Sequence, residues 1–142
     1  MNEVIPIQPE PPGVRQHLTE LRDSLLNLHK ALMESDRIGY ENTFGKISSP
    51  FTFLKLLTDD PWFAWFRPIS QLITTMDETL DAKEPLTLAV ANKLISRAKT
   101  MLVPTESGEG FSQHYDEALQ RDPDVVFAHA AVAKLIRAQM GN

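Results

Sequence analysis

The chain has no cysteine among its 142 residues. That excludes a disulfide-stapled domain, thiolate metal sites and cysteine nucleophiles. It also has no long apolar run: nothing approaches the ~18 residues of a spanning helix. No basic segment followed by an apolar stretch opens the sequence, so no secretory leader is expected and a cytoplasmic setting is the default. Positive charge is in short supply, with 14 Lys and Arg against 19 Asp and Glu, a net charge of −5 and a pI near 5.3. The cations form no run along the sequence, which argues against nucleic acid and against anionic membranes as partners. No segment alternates apolar and polar residues with period two, so no strand is expected. Gly-x-Ser-x-Gly and Ser-x-x-Lys are both missing, and the SGEG at 107–110 is too short for a phosphate loop and lacks its lysine. No cofactor motif is present, and no catalytic residue is assigned.

What is present fits one folded domain, long enough to bury roughly two-thirds of the surface its unfolded chain exposes. Four of the ten prolines fall in residues 1–12, MNEVIPIQPEPP. This stretch reads as an extended arm, either a loose tail or a strap that packs Val4, Ile5 and Ile7 on its own domain or on a partner subunit. Residues 13–142 read as a single helical-bundle domain. Val14, Leu18, Leu21, Leu25, Leu28 and Leu32 step by four and three, the apolar seam of a helix over about 13–43. Ser49-Pro50, Asp60-Pro61, Glu84-Pro85 and Asp122-Pro123 each start a new helix, with the proline at a first-turn position where its missing N–H costs nothing. The expected spans are 50–58, 61–80, 85–102, 111–121 and 123–139, with Thr105–Gly110 as the mobile loop. Short connections between long amphipathic helices point to an all-α, up-and-down antiparallel bundle of four long helices and two short ones.

Residues 59–70, DDPWFAWFRPIS, place four large aromatics in five positions. At helical spacing Trp62, Trp65, Phe66, Ile69, Leu72, Ile73, Met76 and Leu80 form one stripe, which runs through Pro68 without losing phase. Most of the aromatic cluster is therefore expected in the core, on a helix kinked near 64–68. Phe63 lies off the stripe. It can pack beneath the preceding short helix against Phe51 or Phe53, or stand exposed with Arg67 over its ring. Six of the eleven aromatics fall between 51 and 66. Because aromatics and arginine are favoured at interface centres, Phe51, Phe53, Phe63 and Arg67 form the candidate interface for a homodimer or another protein partner.

Two histidine–glutamate pairs, His17–Glu20 and His114–Glu117, share helix faces. They lack the further glutamates of helical di-iron sites, and no metal is expected. His129 falls within the apolar stripe Val125, Ala128, Val132, Leu135, Ile136, where a neutral imidazole requires a hydrogen-bond partner. The seam of the first helix loses apolar character after Leu32, continuing through Ser35 or Asp36, Gly39 and Thr43. Either this end is solvated, or it lines a polar pocket with His29, Asp36, Tyr40 and His129 as candidate residues. Gly39 would allow a close approach there. The pocket supplies the alternative function, binding of a small molecule or metal. The leading expectation is a non-catalytic bundle acting through self-association or a protein partner.

Residues 111–136 resemble the corner of a tetratricopeptide unit in Tyr115, Ala118, Leu119, Asp122-Pro123 and Ala128. Nothing repeats at that family's period, so the likeness is to a helix–turn–helix corner and implies no peptide groove. LLNLHKALM at 25–33, DPWFAWFRPISQLI at 60–73 and EGFSQHYDEALQRDPDVVFAHA at 109–130 look like a small family of uncharacterised bacterial helical proteins. The resemblance covers about 14–136. It implies a bacterial, cytosolic, single-domain protein and carries over no activity, cofactor or catalytic residue.

Overall fold

The structure, a computed structural model, describes residues 9–103 and 110–140. Residues 1–8 of the proline-rich arm, 104–109 of the glycine-containing loop, and 141–142 lie outside them. The described residues form seven helices and no strand: α1 Val14–Phe44, α2 Pro50–Asp59, α3 Pro61–Ala64, α4 Arg67–Asp81, α5 Leu88–Met101, α6 Phe111–Arg121 and α7 Pro123–Met140. The all-α class expected from the sequence is what the chain adopts. α1 is the hub and packs against α3, α4, α5 and α7. α5 also touches α4 and α7, α6 lies on α7, and α2 lies on α3.

The leucine seam explains why α1 takes the centre. All six seam residues from Val14 to Leu32 are buried, and the five leucines are wholly so. Each such leucine contributes about 1.5–3 kcal/mol of transfer free energy before the entropic cost of ordering it. Ile69, Leu72 and Met76 of α4, Ile95 and Ala98 of α5 and Val125 and Val132 of α7 join the same core. The entry to α1 is tied down by Glu10. Its carboxylate accepts a bifurcated hydrogen bond from Arg15 Nε–H and one of 2.7 Å from Nη2, and it also accepts from the backbone N–H of Leu86 at 2.8 Å. Arg15 Nη1 donates in turn to Leu80 O at 2.7 Å.

Helix starts follow the cap chemistry. Ser49 Oγ accepts from Thr52 N at 3.1 Å, Asp60 Oδ1 from Trp62 N at 2.9 Å, and Asp122 Oδ1 from Asp124 N at 2.9 Å. The fourth start differs from expectation. Thr87, not Glu84, caps α5 by accepting from Val90 N, and Pro85 remains in the connection, where Leu86 spends its N–H on Glu10.

The expected single helix over 61–80 is instead two helices. Within a helix Pro68 would leave the carbonyl of Ala64 unbonded and press on it. The chain breaks at Trp65–Phe66, Phe66 sits at φ −94° and ψ 9°, and Pro68 falls in the first turn of α4. The break shifts the phase of the residues before it. Trp62, expected on the core stripe, is 36% exposed, whereas Phe63, expected off it, is completely buried. Trp65 and Phe66, nearest the break, keep their inward orientation.

Candidate functional site

The seam of α1 does not end at Leu32. Ser35 and Asp36 carry the same stripe one turn further and are each only 5% exposed, so this part of α1 is not solvated. Two elements far along the chain cover it. Trp65, at the α3–α4 break, donates its indole N–H to Asp36 Oδ2 at 2.6 Å, and Trp62 donates its own to Asp36 O at 3.1 Å. From the end of α6, Arg121 Nη2 reaches Asp36 Oδ1 at 2.7 Å and Nε reaches Ser35 Oγ at 3.0 Å. Burial pushes the Asp36 carboxyl above its ordinary range. The Trp65 hydrogen bond, the Arg121 charge and the more distant His114 pull it part of the way back. The cluster fastens α6 and the aromatic turn onto α1.

The four candidate pocket residues are divided among separate groups. His29 Nε2 lies 2.6 Å from Ser70 Oγ, with the Phe66 ring edge-on at 5.3 Å. Burial lowers the His29 pKa, and among the described residues no carboxylate hydrogen-bonds its ring as the acid that orients a catalytic imidazole would. Asp36 belongs to the cluster above. Tyr40 packs among Phe44, Trp62 and Phe63, with ring centres 4.9–6.0 Å apart. Gly39 admits the Trp62 indole rather than a neighbouring helix: a Cβ there would lie 3.4 Å from Trp62 Cζ2.

His129 is half-buried, and its Nδ1 lies 2.7 Å from the hydroxyl of the fully buried Tyr115. Burial holds the phenol neutral, well above its usual range, and lowers the imidazole pKa. Rings link the groups: His29, Phe66, Trp65, Phe111, Tyr115 and His129 follow one another at 5.3–5.6 Å. Sequence reasoning missed Ser70, Trp65, Tyr115 and Arg121 as polar partners. The only cue was that each buried polar residue needed one.

The candidate interface is also redistributed. Phe53 is half-buried and meets Phe63 edge-on at 5.7 Å, the packing alternative for Phe63. Phe63 therefore presents no ring to a partner. Arg67 is exposed and donates to Thr58 O at 2.5 Å, closing α2 onto the start of α4. Phe51 stands 77% exposed. Phe44, Leu54 and Trp62 are also exposed, the Phe44 and Trp62 rings lie 5.7 Å apart, and α2 contains no fully buried residue. His114 Nδ1 lies 3.9 Å from Glu117 Oε2 at the surface. Among the described residues no three His, Asp or Glu side chains converge to hold a metal, and no helix is long and apolar enough to cross a membrane.

No protein family, curated protein or solved structure matches the chain.

Proposed function

We propose that the protein is a non-catalytic helical-bundle protein that acts through self-association, and that the aromatic end of α1–α3 is the contact. In this reading α1, α4, α5 and α7 are the long helices of an up-and-down antiparallel bundle, and α2 with α3 forms its sticky cap. The observation that carries the proposal is α2 itself. Ten residues, rich in Phe and Leu, fold into a helix that buries none of them completely and turns Phe51 and Leu54 outward. Isolated exposed apolar residues are ordinary, but here the exposed rings of Phe44 and Trp62 lie 5.7 Å apart, and α2, which packs on α3, adds the exposed Phe51 and Leu54.

The surroundings favour a second copy. Between residues 41 and 67 the charged side chains are Glu41, Asp59 and Asp60 against Lys46, Lys55 and Arg67, three of each sign in a chain that is otherwise acidic. A two-fold contact sets a patch against itself, and a balanced patch does not repel its own copy. The bacterial, cytosolic setting belongs to the same reading, and the sequence resemblance supports it.

Sedimentation velocity over a concentration series tests it. The expected result is a reversible dimer at tens of micromolar and a monomer for Phe51→Glu, with unchanged helical content. A strict monomer throughout, or a dimer indifferent to Phe51→Glu, would contradict it.

A further inference from the structure

Charge is segregated in the fold in a way that the linear sequence conceals. Residues 85–103 and 125–140 contain Lys93, Arg97, Lys99, Lys134 and Arg137, and none of the nineteen Asp and Glu. These segments are α5 with its flanks and nearly all of α7, and the two helices pack together. A chain of net charge −5 thus has one pair of neighbouring helices that is basic and almost free of acid. Between the two helices runs a groove of about 230 Å³, lined by Leu102, Val103, Val132, Ala133 and Ile136, with Lys99, Arg137 and His129 as its polar groups. Lys99 and Arg137 are exposed, and neither has an ion-pair or hydrogen-bond partner among the described residues.

The imidazole is oriented from behind. Tyr115 is fully buried, and among the described residues its hydroxyl meets only His129 Nδ1, at 2.7 Å. If the phenol accepted that hydrogen bond, its own proton would be buried without an acceptor, so the phenol donates. Nδ1 is then the acceptor, and the proton of the neutral ring sits on Nε2 of a side chain that lines the groove. Among the described residues the groove therefore has three donor side chains, no carboxylate and an aliphatic floor.

We infer that the α5–α7 groove binds a small aliphatic carboxylate, its chain on Leu102, Val132 and Ile136 and its head group met by Lys99, Arg137 and the His129 Nε2–H. The volume falls below the ~300–1,000 Å³ of pockets for drug-sized molecules, so the ligand is short. The apolar lining suits one compact charge rather than a polyanion, and a guanidinium beside an ammonium suits a carboxylate.

The test is an amide and imidazole NMR titration of the full chain with octanoate, with octanol and sulfate as controls. The expected result is saturable shifts at Leu102, Val132, Ile136 and the His129 ring, with octanol and sulfate each at least about tenfold weaker. Lys99→Gln with Arg137→Gln should weaken octanoate by about tenfold or more while the remaining spectrum superimposes. Ala133→Trp, which fills the groove without touching its charges, should abolish the shifts. No saturation by about 5 mM would overturn the inference, as would equal binding of octanol or sulfate. So would attachment to phosphatidylglycerol vesicles with no response to free octanoate, which would make the face a membrane-binding surface.

Discussion

The two halves of α1 share one periodicity and differ in everything placed on it. From Val14 to Leu32 the inward row is aliphatic, and it shares a core with apolar aliphatic and aromatic side chains of the neighbouring helices. From Ser35 to Phe44 the same face carries a hydroxyl, a carboxylate, a glycine and a tyrosine, covered by two indoles and a guanidinium. Burial thus follows the helical repeat, and polarity decides only what must come to cover it. An aliphatic seam accepts any apolar neighbour. A buried Asp36 requires specific donors, and those arrive from the α3–α4 break and from the end of α6.

Substitutions in each half sharpen that contrast. Leu25→Ala in the dry half should have the largest effect, about 3 kcal/mol by chemical denaturation, because a wholly buried leucine leaves a cavity. Arg121→Ala should cost less, about 2 kcal/mol. Breaking a buried pair costs ~3–5 kcal/mol, but the Arg121 side chain is 46% exposed and water replaces part of its role. A loss at Arg121 equal to that at Leu25 would mean that the polar half is as dry as the aliphatic one.

The pH dependence follows with opposite signs from the two residue types. Burial lowers the pKa of His29 and His129 below their ordinary 6.5, so the unfolded chain takes up protons first. The stability they contribute is complete above about pH 6.5 and is lost as the pH falls below it. Asp36 is raised above its ordinary 3.8, so it contributes in the other direction, favouring the fold as the pH falls through the interval just above 3.8. The melting temperature should therefore decline from about pH 7.5 to about pH 5.5, and His29→Gln with His129→Gln should flatten that decline. The smallest expected effect is a gain. Gly39→Ala adds a methyl at ordinary contact distance from Trp62 and removes a helix-interior glycine, for up to ~1 kcal/mol of added stability. A loss there would mean that Trp62 tolerates no neighbour on α1.

Much of the fold was legible because it is written locally. The four–three stepping of leucines fixed α1, and Ser49-Pro50, Asp60-Pro61 and Asp122-Pro123 marked three starts correctly. Thr87 was missed because Glu84-Pro85 offers the same signal three residues earlier, and only the Glu10 contact to Leu86 decides between them. The exchange of Trp62 and Phe63 came from assuming a continuous helix through Pro68; a two-residue break is enough to turn one ring out and the other in. The site was far less legible. Asp36 meets residues 29 and 85 positions away, His29 meets Ser70 41 positions away, and no local spacing encodes such pairs. The pairing of the two acid-poor helices, α5 and α7, was hidden for the same reason, since their five cations lie in two separate segments.

The most direct test of self-association through the aromatic end is an isotope-filtered NOE experiment on a mixture of labelled and unlabelled chains. The account expects intermolecular contacts from the Phe51 ring to Phe44, Leu54 or Trp62 of a second copy. Intermolecular contacts confined to the other exposed ring, Phe127 of α7, or none at concentrations where the chain is dimeric, would contradict it.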